Sequence, residues 1–126
     1  MASTDKFLPA QAPIDAVLNN GFRFGEMSHQ GGLIGLPGRT QAWAPQGTAF
    51  DLTVEDLAPV FEKADTIDIL VIGTGRDIAI LPQSTLYALR DAGLAAEISA
   101  TRAAVRTYNV LLSEDRRVAA ALMALT

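Results

Sequence analysis

One apolar segment near the middle of the chain limits the folds that this sequence can adopt. It covers residues 67–75, and residues 69–72 within it are four consecutive large aliphatics. The segment is too short for a helix of its own, and β-branched Ile and Val pack well on a pleated surface. A strand that is apolar on both faces is typical of the interior of a sheet. We therefore predict a buried strand here, ended by Gly73 and Gly75.

The sequence after this strand alternates between helical and extended patterns. A helix is predicted over 82–92 and a strand over 94–99. A second helix, capped by Thr101, should reach Ser113, and a last strand should follow over 117–125. Helices that alternate with strands connect parallel neighbours, so the C-terminal half has the β-α-β-α-β pattern of a parallel or mixed sheet.

The N-terminal half has patterns that indicate antiparallel strands. Alternating apolar and polar side chains predict a strand over 22–28. The glycine pair at 31–32 should turn the chain back into a second hairpin arm over 33–36. A third strand is expected over 40–44, and a short helix after Thr53 completes this half. The sequence therefore predicts an α/β (α+β) fold, with an antiparallel hairpin layer before a mixed sheet.

Length and composition indicate one domain. The chain has 126 residues, of which 49% are hydrophobic and 19% charged, enough for an ordinary core. Residues 1–13 contain two prolines and small polar side chains, so we predict a mobile N-terminal tail. The domain itself is expected over 14–126.

Composition also excludes several classes of function. The net charge is -4, and the arginines are scattered rather than clustered, so a nucleic-acid-binding surface is not expected. The chain has no cysteine, which removes disulfides, Cys-based zinc sites and thiol catalysis. No stretch approaches the ~20 apolar residues of a membrane span, and no signal peptide is recognised. These features predict a soluble, cytoplasmic protein.

The best candidate for a ligand or partner contact is the turn formed by Gly73, Thr74, Gly75 and Arg76. Glycines after a buried strand can expose backbone N–H groups that bind an anion, and Arg76 adds positive charge. The dinucleotide fingerprint would need a third glycine where Ile78 stands, and the lysine of a phosphate-binding loop is missing. The alternative interpretation is a tight turn that needs glycine for packing alone.

Four other positions carry side chains that could bind or react. Trp43 is a candidate ligand platform or partner contact, with half-buried packing against the sheet as the alternative. Arg106 and Asn109 are candidates for a surface site on the last helix, with a solvated helix face as the alternative. His29, the single histidine, is expected to be solvated at a hairpin end, and Ser28 beside it points to the opposite face. We predict no catalytic residue, no metal site and no cofactor.

The C-terminal half also resembles a known family. The residues that carry the resemblance are the Gly-x-Gly end of the central strand, Thr101-x-x-Ala104-x-Arg106-Thr107-Tyr108-Asn109-x-Leu111-Leu112, and Arg117-Val118-Ala119-Ala120-Ala121-Leu122. They are similar to the family of the third assembly factor of mitochondrial respiratory complex I. That family also contains an adipogenesis-associated cytosolic branch and many uncharacterised bacterial proteins. The resemblance covers roughly residues 14–125.

The resemblance implies a single three-layer β/β/α domain with a mixed sheet. It also implies an assembly or interaction protein without established catalytic residues, with a shared surface site at the 73–75 turn and at Arg106 and Asn109. Our leading hypothesis is a non-enzymatic protein that helps to assemble a membrane-linked, respiratory complex. It would act through a protein partner and associate peripherally with the membrane complex. The alternative is a small-molecule-binding or anion-binding domain, or an enzyme, that uses the 73–76 turn.

Overall fold

The strands form two sheets in the computed structural model, which describes residues 8–126. The smaller sheet contains the first three strands, β1 (Ala16–Leu18), β2 (Gly21–Phe24) and β3 (Met27–Gln30). Each strand pairs antiparallel with the next, so the three form a meander in chain order. This sheet is an N-terminal antiparallel layer, as the sequence predicts, but of the strands predicted for that layer it contains only the segment 22–28. The segments predicted over 33–36 and 40–44 belong to the larger sheet.

The larger sheet is mixed. Its strands are β4 (Gly32–Leu36), β5 (Arg39–Trp43), β6 (Ile69–Gly73), β7 (Ala95–Ser99) and β8 (Val118–Leu122). Their spatial order is β5-β4-β8-β6-β7. β6 is parallel to β7 and β8, whereas β4 is antiparallel to β5 and β8. The predicted interior position of the 67–75 strand is confirmed, although β8 holds the central place.

Helices on both sides of the larger sheet complete the three layers. They are α1 (Ala58–Glu62), α2 (Gln83–Asp91) and α3 (Thr101–Ser113). Residues of α1 and α2 pack in one core cluster, and those of α3 pack in a second cluster together with the smaller sheet. The predicted fold class is thereby confirmed. None of the helices within residues 8–126 has the length and apolar character that a membrane crossing requires.

The two core clusters lie on opposite faces of β6. Leu70 and Ile72 belong to the cluster of α1 and α2, whereas Val71 belongs to that of α3. This alternation follows from the period of two residues in a strand. The neighbouring strand β8 presents alanines at 119–121, all fully buried, and such small side chains let the covering layers approach closely. β6 is therefore buried on both faces, as its apolar sequence predicts.

The prediction of one continuous strand over 22–28 is wrong. Gly25 and Glu26 have φ of +52° and +64°, which is the backbone of a tight two-residue hairpin turn. The chain therefore folds back here, into β3. The segment predicted as the second hairpin arm, 33–36, is instead part of β4 in the larger sheet, because Gly31 (φ +94°) redirects the chain after β3.

Residues 8–13, which belong to the segment predicted as an N-terminal tail, make contacts with the rest of the domain. Leu8 forms an antiparallel bridge with Thr40, so it covers the outer edge of β5. The Tyr108 hydroxyl donates to the carbonyl of Ala12 (2.9 Å), and the Gln11 side chain donates to the carbonyl of Val118 (2.6 Å). The rest of the predicted tail, residues 1–7, lies outside the described residues.

Candidate functional site

Hydrogen bonds to neighbouring segments and within the turn fix the backbone of the turn that ends β6. The amide of Thr74 donates to the carbonyl of Ser99 (3.0 Å), and the amide of Gly75 donates to Thr101 Oγ1 (2.9 Å). The Thr74 hydroxyl donates to the carbonyl of Asp77 (2.7 Å). The amides of Thr74 and Gly75, which lie in the turn proposed to bind an anion, are therefore already paired within the chain.

Packing and backbone conformation explain both glycines of this turn. A Cβ on Gly73 would lie 2.8 Å from Thr101 Oγ1 and 2.9 Å from Thr101 Cα. Gly75 has φ of +104°, a conformation that side chains disfavour. Thr101 was predicted to cap α3, but its hydroxyl donates to the carbonyl of Met123 instead (2.6 Å). The alternative interpretation of the turn thus accounts for the glycines without a ligand.

An open cavity of about 770 Å³ lies directly beyond this turn, and we call it the β6 cavity. Three loops supply most of its wall, at residues 45–50, 74–79 and 123–126. Asn20 and Gly31 contribute from the smaller sheet and the connection after it. The carboxyl end of a parallel strand is the usual place for a ligand crevice in sheets of this kind. The position of the β6 cavity therefore agrees with the region that the sequence indicated.

Arg76 supplies the positive charge of the β6 cavity. Its Nε donates to the main-chain oxygen of Thr126 (2.6 Å), and one terminal nitrogen lies 3.5 Å from Asn19 Oδ1. Among residues 8–126 the single ion pair between side chains joins Arg117 to Asp68 (2.9 Å), so Arg76 forms no ion pair with an Asp or Glu side chain there. The hydrogen bond from Arg117 lowers the pKa of Asp68 below its ordinary value, and this pair is separate from the β6 cavity.

Three consecutive backbone amides beside Arg76 also lack partners. The N–H groups of Arg76, Asp77 and Ile78 make no hydrogen bond within the described part of the chain. All three residues are exposed and line the β6 cavity. The free amide donors of this loop thus lie one to three residues after Gly75, and not at the glycines themselves.

Large apolar side chains stand at the rim of the β6 cavity. Phe50 is 65% exposed and Ile78 is 67% exposed, and both contribute to the lining. Phe50 lies in the short 3-10 turn Ala49–Asp51, whose first residue is buried in the core. The β6 cavity therefore joins a cation and unpaired amides to an exposed apolar surface.

The loop that carries Phe50 is fixed by Asp56. The carboxylate of Asp56 accepts hydrogen bonds from the amides of Gln46 (3.1 Å) and Thr53 (3.0 Å). Burial raises the pKa of Asp56, but the hydrogen bonds from Thr53 and Gln46 together outweigh it and leave the pKa lowered. The carbonyl of Asp56 accepts from the indole N–H of Trp43 (2.8 Å). Trp43 is 6% exposed and outside the cavity lining, so packing explains it.

The structure does not bring Arg106 or Asn109 to the turn. Asn109 holds the N-terminal segment, because its amide group donates to the carbonyl of Ile14 (2.8 Å) and accepts from the Ile14 amide (2.9 Å). Arg106 is exposed on α3 and borders a separate shallow hollow with Val110. The residues of the predicted surface site therefore separate into those that line the β6 cavity, Gly75 and Arg76 among them, and those on α3 that do not.

His29 is buried rather than solvated. Its side chain is 8% exposed, and Nε2 lies 3.0 Å from the carbonyl oxygen of Gly32. It therefore joins β3 to the start of β4. Within residues 8–126, no group of three or more His, Asp or Glu side chains is placed to hold a metal ion.

Sequence reasoning missed several residues of the site. Phe50 follows a loop without periodicity, so nothing in the pattern marked it as exposed. Thr101 was recognised, but as a cap, because a Thr before an apolar helical stripe is the usual signal for one. Asn19 and Thr126 meet Arg76 only through the tertiary fold. A polar side chain beside a turn signal, as at Asn19, would have been the one available clue.

The sheet, the helices and the cavity together define the structural class of this domain. A mixed sheet that lies between helices and a small antiparallel sheet, with an open cavity at the carboxyl end of its inner strand, is a small three-layer β/β/α domain. Within that class, the chain belongs to the family described as protein of unknown function (DUF498/DUF598), which matches residues 14–123.

Relatives in sequence include proteins named as assembly factors. The chain is 39% identical over 123 residues to an uncharacterised protein of Rhodobacter capsulatus, covering 98% of this chain and 93% of that one. It is 38% identical over 77 residues to NADH dehydrogenase [ubiquinone] 1 alpha subcomplex assembly factor 3 of Xenopus tropicalis, covering 61% of this chain. It is 31% identical to the human assembly factor 3 over 110 residues, which cover 87% of this chain. The chain spans 42% of the Xenopus protein and 59% of the human one.

Solved structures support the fold. A crystal structure described as an outer membrane protein from Bartonella henselae has a TM-score of 0.87 and 43% identity, with 94% of this chain and 98% of that one covered. The solution structure of a Bordetella pertussis protein, described as a Mth938-like domain, has a TM-score of 0.75 and 24% identity, with 89% and 85% covered. The second likeness concerns the fold alone.

Proposed function

We propose that this protein is a non-enzymatic interaction protein that assists the assembly of a membrane-linked respiratory complex. The observation that carries the proposal is the relationship to assembly factor 3, which extends over 87% of this chain in the human protein. Since assembly factors act through protein partners, we propose a protein partner for this chain. We further propose a cytoplasmic location, with peripheral association with the membrane complex.

The β6 cavity supports a role in protein contact. Phe50 and Ile78 leave large apolar surfaces in solvent beside the charged Arg76. Exposed apolar groups next to a charged rim are typical of protein–protein interaction sites. This surface is where we expect the partner to bind.

The proposal is tested by deletion of the gene in the organism that encodes this chain. We expect less assembled NADH:ubiquinone oxidoreductase on native gels and lower NADH:ubiquinone activity in membranes. Succinate dehydrogenase, which is assembled separately, is the internal control and should be unchanged. Restoration by the wild-type gene in trans completes the test, whereas normal levels of the complex in the deletion strain would contradict the proposal.

Location is tested by fractionation of the same cells. We expect the protein in the soluble fraction and in a salt-washable membrane fraction. Because a relative from Bartonella henselae is described as an outer membrane protein, the outer membrane fraction is measured in parallel. Recovery there would overturn the proposed location.

A second candidate function is a small-molecule-binding or anion-binding domain. The volume of about 770 Å³ and the unpaired donors beside Arg76 favour it, because most ligand sites are concave and contain a few polar groups. A thermal-shift screen with small organic acids tests this function. A rise in the thermal midpoint that Arg76→Gln abolishes would support it over partner binding.

A further inference from the structure

We propose that the β6 cavity binds an extended segment of a partner protein in which a carboxylate is flanked by large apolar side chains. The proposal rests on the proposed function, which requires a protein partner, and it specifies the chemistry of that partner. Three features of the β6 cavity support it: the donors of Arg76, the unpaired amides and the exposed apolar rim.

The guanidinium of Arg76 has capacity for a carboxylate. A guanidinium carries five N–H donors, and here one donates to the main-chain oxygen of Thr126 while another has a long contact with Asn19. At least three donors therefore remain. Arginine recognises carboxylates through paired N–H groups, and no Asp or Glu side chain among residues 8–126 forms an ion pair with Arg76. An acidic side chain of the partner complements this charge.

The unpaired amides of the same loop suit an extended peptide. The N–H groups of residues 76–78 have no acceptor in the described chain, and each can bind a carbonyl or carboxylate oxygen. A peptide backbone offers carbonyl oxygens at regular spacing, whereas a small acid offers only its own carboxylate. The loop thus favours a segment that brings both kinds of acceptor.

The apolar rim also favours a protein segment over a small molecule. Small ligands bind in enclosed clefts that bury most of their surface. Phe50 and Ile78 are about two-thirds exposed, at 65% and 67%, and Ile80, two residues after Ile78 in the chain, is 78% exposed. A small ligand inside the β6 cavity would leave these outward surfaces in water. Apolar side chains on either side of the acidic residue would cover them.

Asp77 provides a second test, because removal of its negative charge should raise the affinity for an acidic ligand, whereas removal of the Arg76 charge should lower it. It lines the β6 cavity beside Arg76, and its carboxylate repels another carboxylate that binds there. Replacement by asparagine removes this repulsion without a change in size. If the partner group is acidic, Asp77→Asn strengthens binding while Arg76→Gln weakens it.

The experiment uses two synthetic peptides and the complete chain. The first is an acetylated and amidated pentapeptide with leucine, glutamate and leucine between alanines, and the second has glutamine in place of glutamate. Titrations of the ¹⁵N-labelled protein are followed by chemical-shift changes. We expect shifts at the amides of 47–50 and 75–79, and about fivefold tighter binding of the glutamate peptide, the size of an exposed charge pair.

The variants assign the effect to the loop. Arg76→Gln should lower the affinity for the glutamate peptide about fivefold and leave that for the glutamine peptide unchanged. Asp77→Asn should raise the affinity for the glutamate peptide. Arg106→Gln, which changes an exposed arginine outside the β6 cavity, is the matched control and should change neither. Unchanged thermal midpoints show that all three variants are folded.

Several outcomes would overturn the proposal. One is the absence of shifts around the β6 cavity at millimolar peptide, and another is equal affinity for the two peptides. A third is tighter binding of N-acetylleucine, a small monocarboxylate, which would identify a small-molecule site. Failure here is distinct from failure of the proposed function, because a deletion strain that loses the respiratory complex while these peptides do not bind would place the partner elsewhere on the surface.

Discussion

The hydroxyl of Thr101 joins three segments that are distant in sequence. It accepts a hydrogen bond from the amide of Gly75 and donates one to the carbonyl of Met123. Thr101 is completely buried, so loss of its hydroxyl would leave the buried amide of Gly75 without a hydrogen-bond partner. The position of the loop that carries Arg76 therefore depends on a residue that does not itself line the β6 cavity.

Gly73→Ala tests how closely β6 approaches α3. The added methyl would lie 2.8 Å from Thr101 Oγ1, 2.9 Å from Thr101 Cα and 3.1 Å from Leu122 Cδ2. Because one of these atoms is backbone, we expect a loss of about 1 to 3 kcal/mol in the free energy of unfolding, measured by urea denaturation. Gly47→Ala is the control, since its new methyl meets only the Asp51 side chain. Equal stability of both variants would contradict this packing.

Asp56→Ala tests whether the Asp56 carboxylate stabilises the loop that holds Phe50. The stability of the variant is measured at pH 7 and as a function of pH. Thr53 and Asp56 exchange hydrogen bonds between side chain and amide in both directions, the arrangement of a capping box. We expect a loss of about 1 kcal/mol at pH 7, measured by urea denaturation followed by the fluorescence of Trp43.

The sign of the pH effect follows from the lowered pKa of Asp56 in the folded protein. A carboxyl with a depressed folded pKa stabilises the fold above its unfolded pKa, about 3.9 for an aspartate, and this stabilisation disappears as the pH falls through the folded value. The difference between wild type and Asp56→Ala should therefore narrow below pH 4. Glu55→Ala, which removes none of these hydrogen bonds, is the control, and a difference that is constant with pH would argue against an ionised Asp56.

At the scale of elements, α3 connects the site to the N-terminal segment. Its buried residues Thr101, Ala104, Val105 and Tyr108 form one stripe at helical spacing. The start of the stripe holds the turn after β6, and its far end holds Ala12 through the Tyr108 hydroxyl. Burial raises the pKa of Tyr108 well above its ordinary value, so the phenol keeps its proton and remains a donor.

Tyr108→Phe tests this connection. The variant keeps the ring in the core but leaves the carbonyl of Ala12 without its donor. We expect a loss of about 1 to 2 kcal/mol in the free energy of unfolding, measured by urea denaturation. Tyr87→Phe is the matched control, because Tyr87 is 54% exposed and its loss of a hydroxyl should have no measurable effect. A stability equal to that of the control would show that the segment around Ala12 is not held by this bond.

At the scale of the whole molecule, the sequence predicted the C-terminal half well and the N-terminal half less well. The helix predicted to follow Thr101 ends at Ser113 as expected, with Thr101 as its first residue rather than its cap, because its apolar stripe and its flanking strands give strong periodic signals. The hairpin between β2 and β3 was missed, since Gly25-Glu26 is a weaker turn signal than Asn-Gly or Asp-Gly. The pairing of β4 with β8 joins residues far apart in sequence, and local patterns carry no information about it.

The sequence indicated the region in which the β6 cavity lies, but not which groups line it. A buried strand that ends in glycines indicates a crevice at its carboxyl end, and the β6 cavity lies there. The sequence cannot show which amides remain free, because the partners of Thr74 and Gly75 come from Ser99 and Thr101. Nor can it show that Trp43 is buried, since that depends on the carbonyl of Asp56 reaching its indole.

Deletion of residues 1–13 tests where the domain begins. The structure gives residues 8–13 a backbone bridge at Thr40 and hydrogen bonds from Tyr108 and to Val118. Their loss also uncovers the edge of β5 and leaves buried polar groups unpaired. We therefore expect the thermal midpoint to fall by about 8 °C or more, on the order of 2 kcal/mol for a domain of this size. Deletion of residues 1–7 alone, which keeps all these contacts, is the matched control. A midpoint within about 2 °C of the control would mean that residues 8–13 add little stability, and the domain would then begin at Ile14 as the sequence predicts.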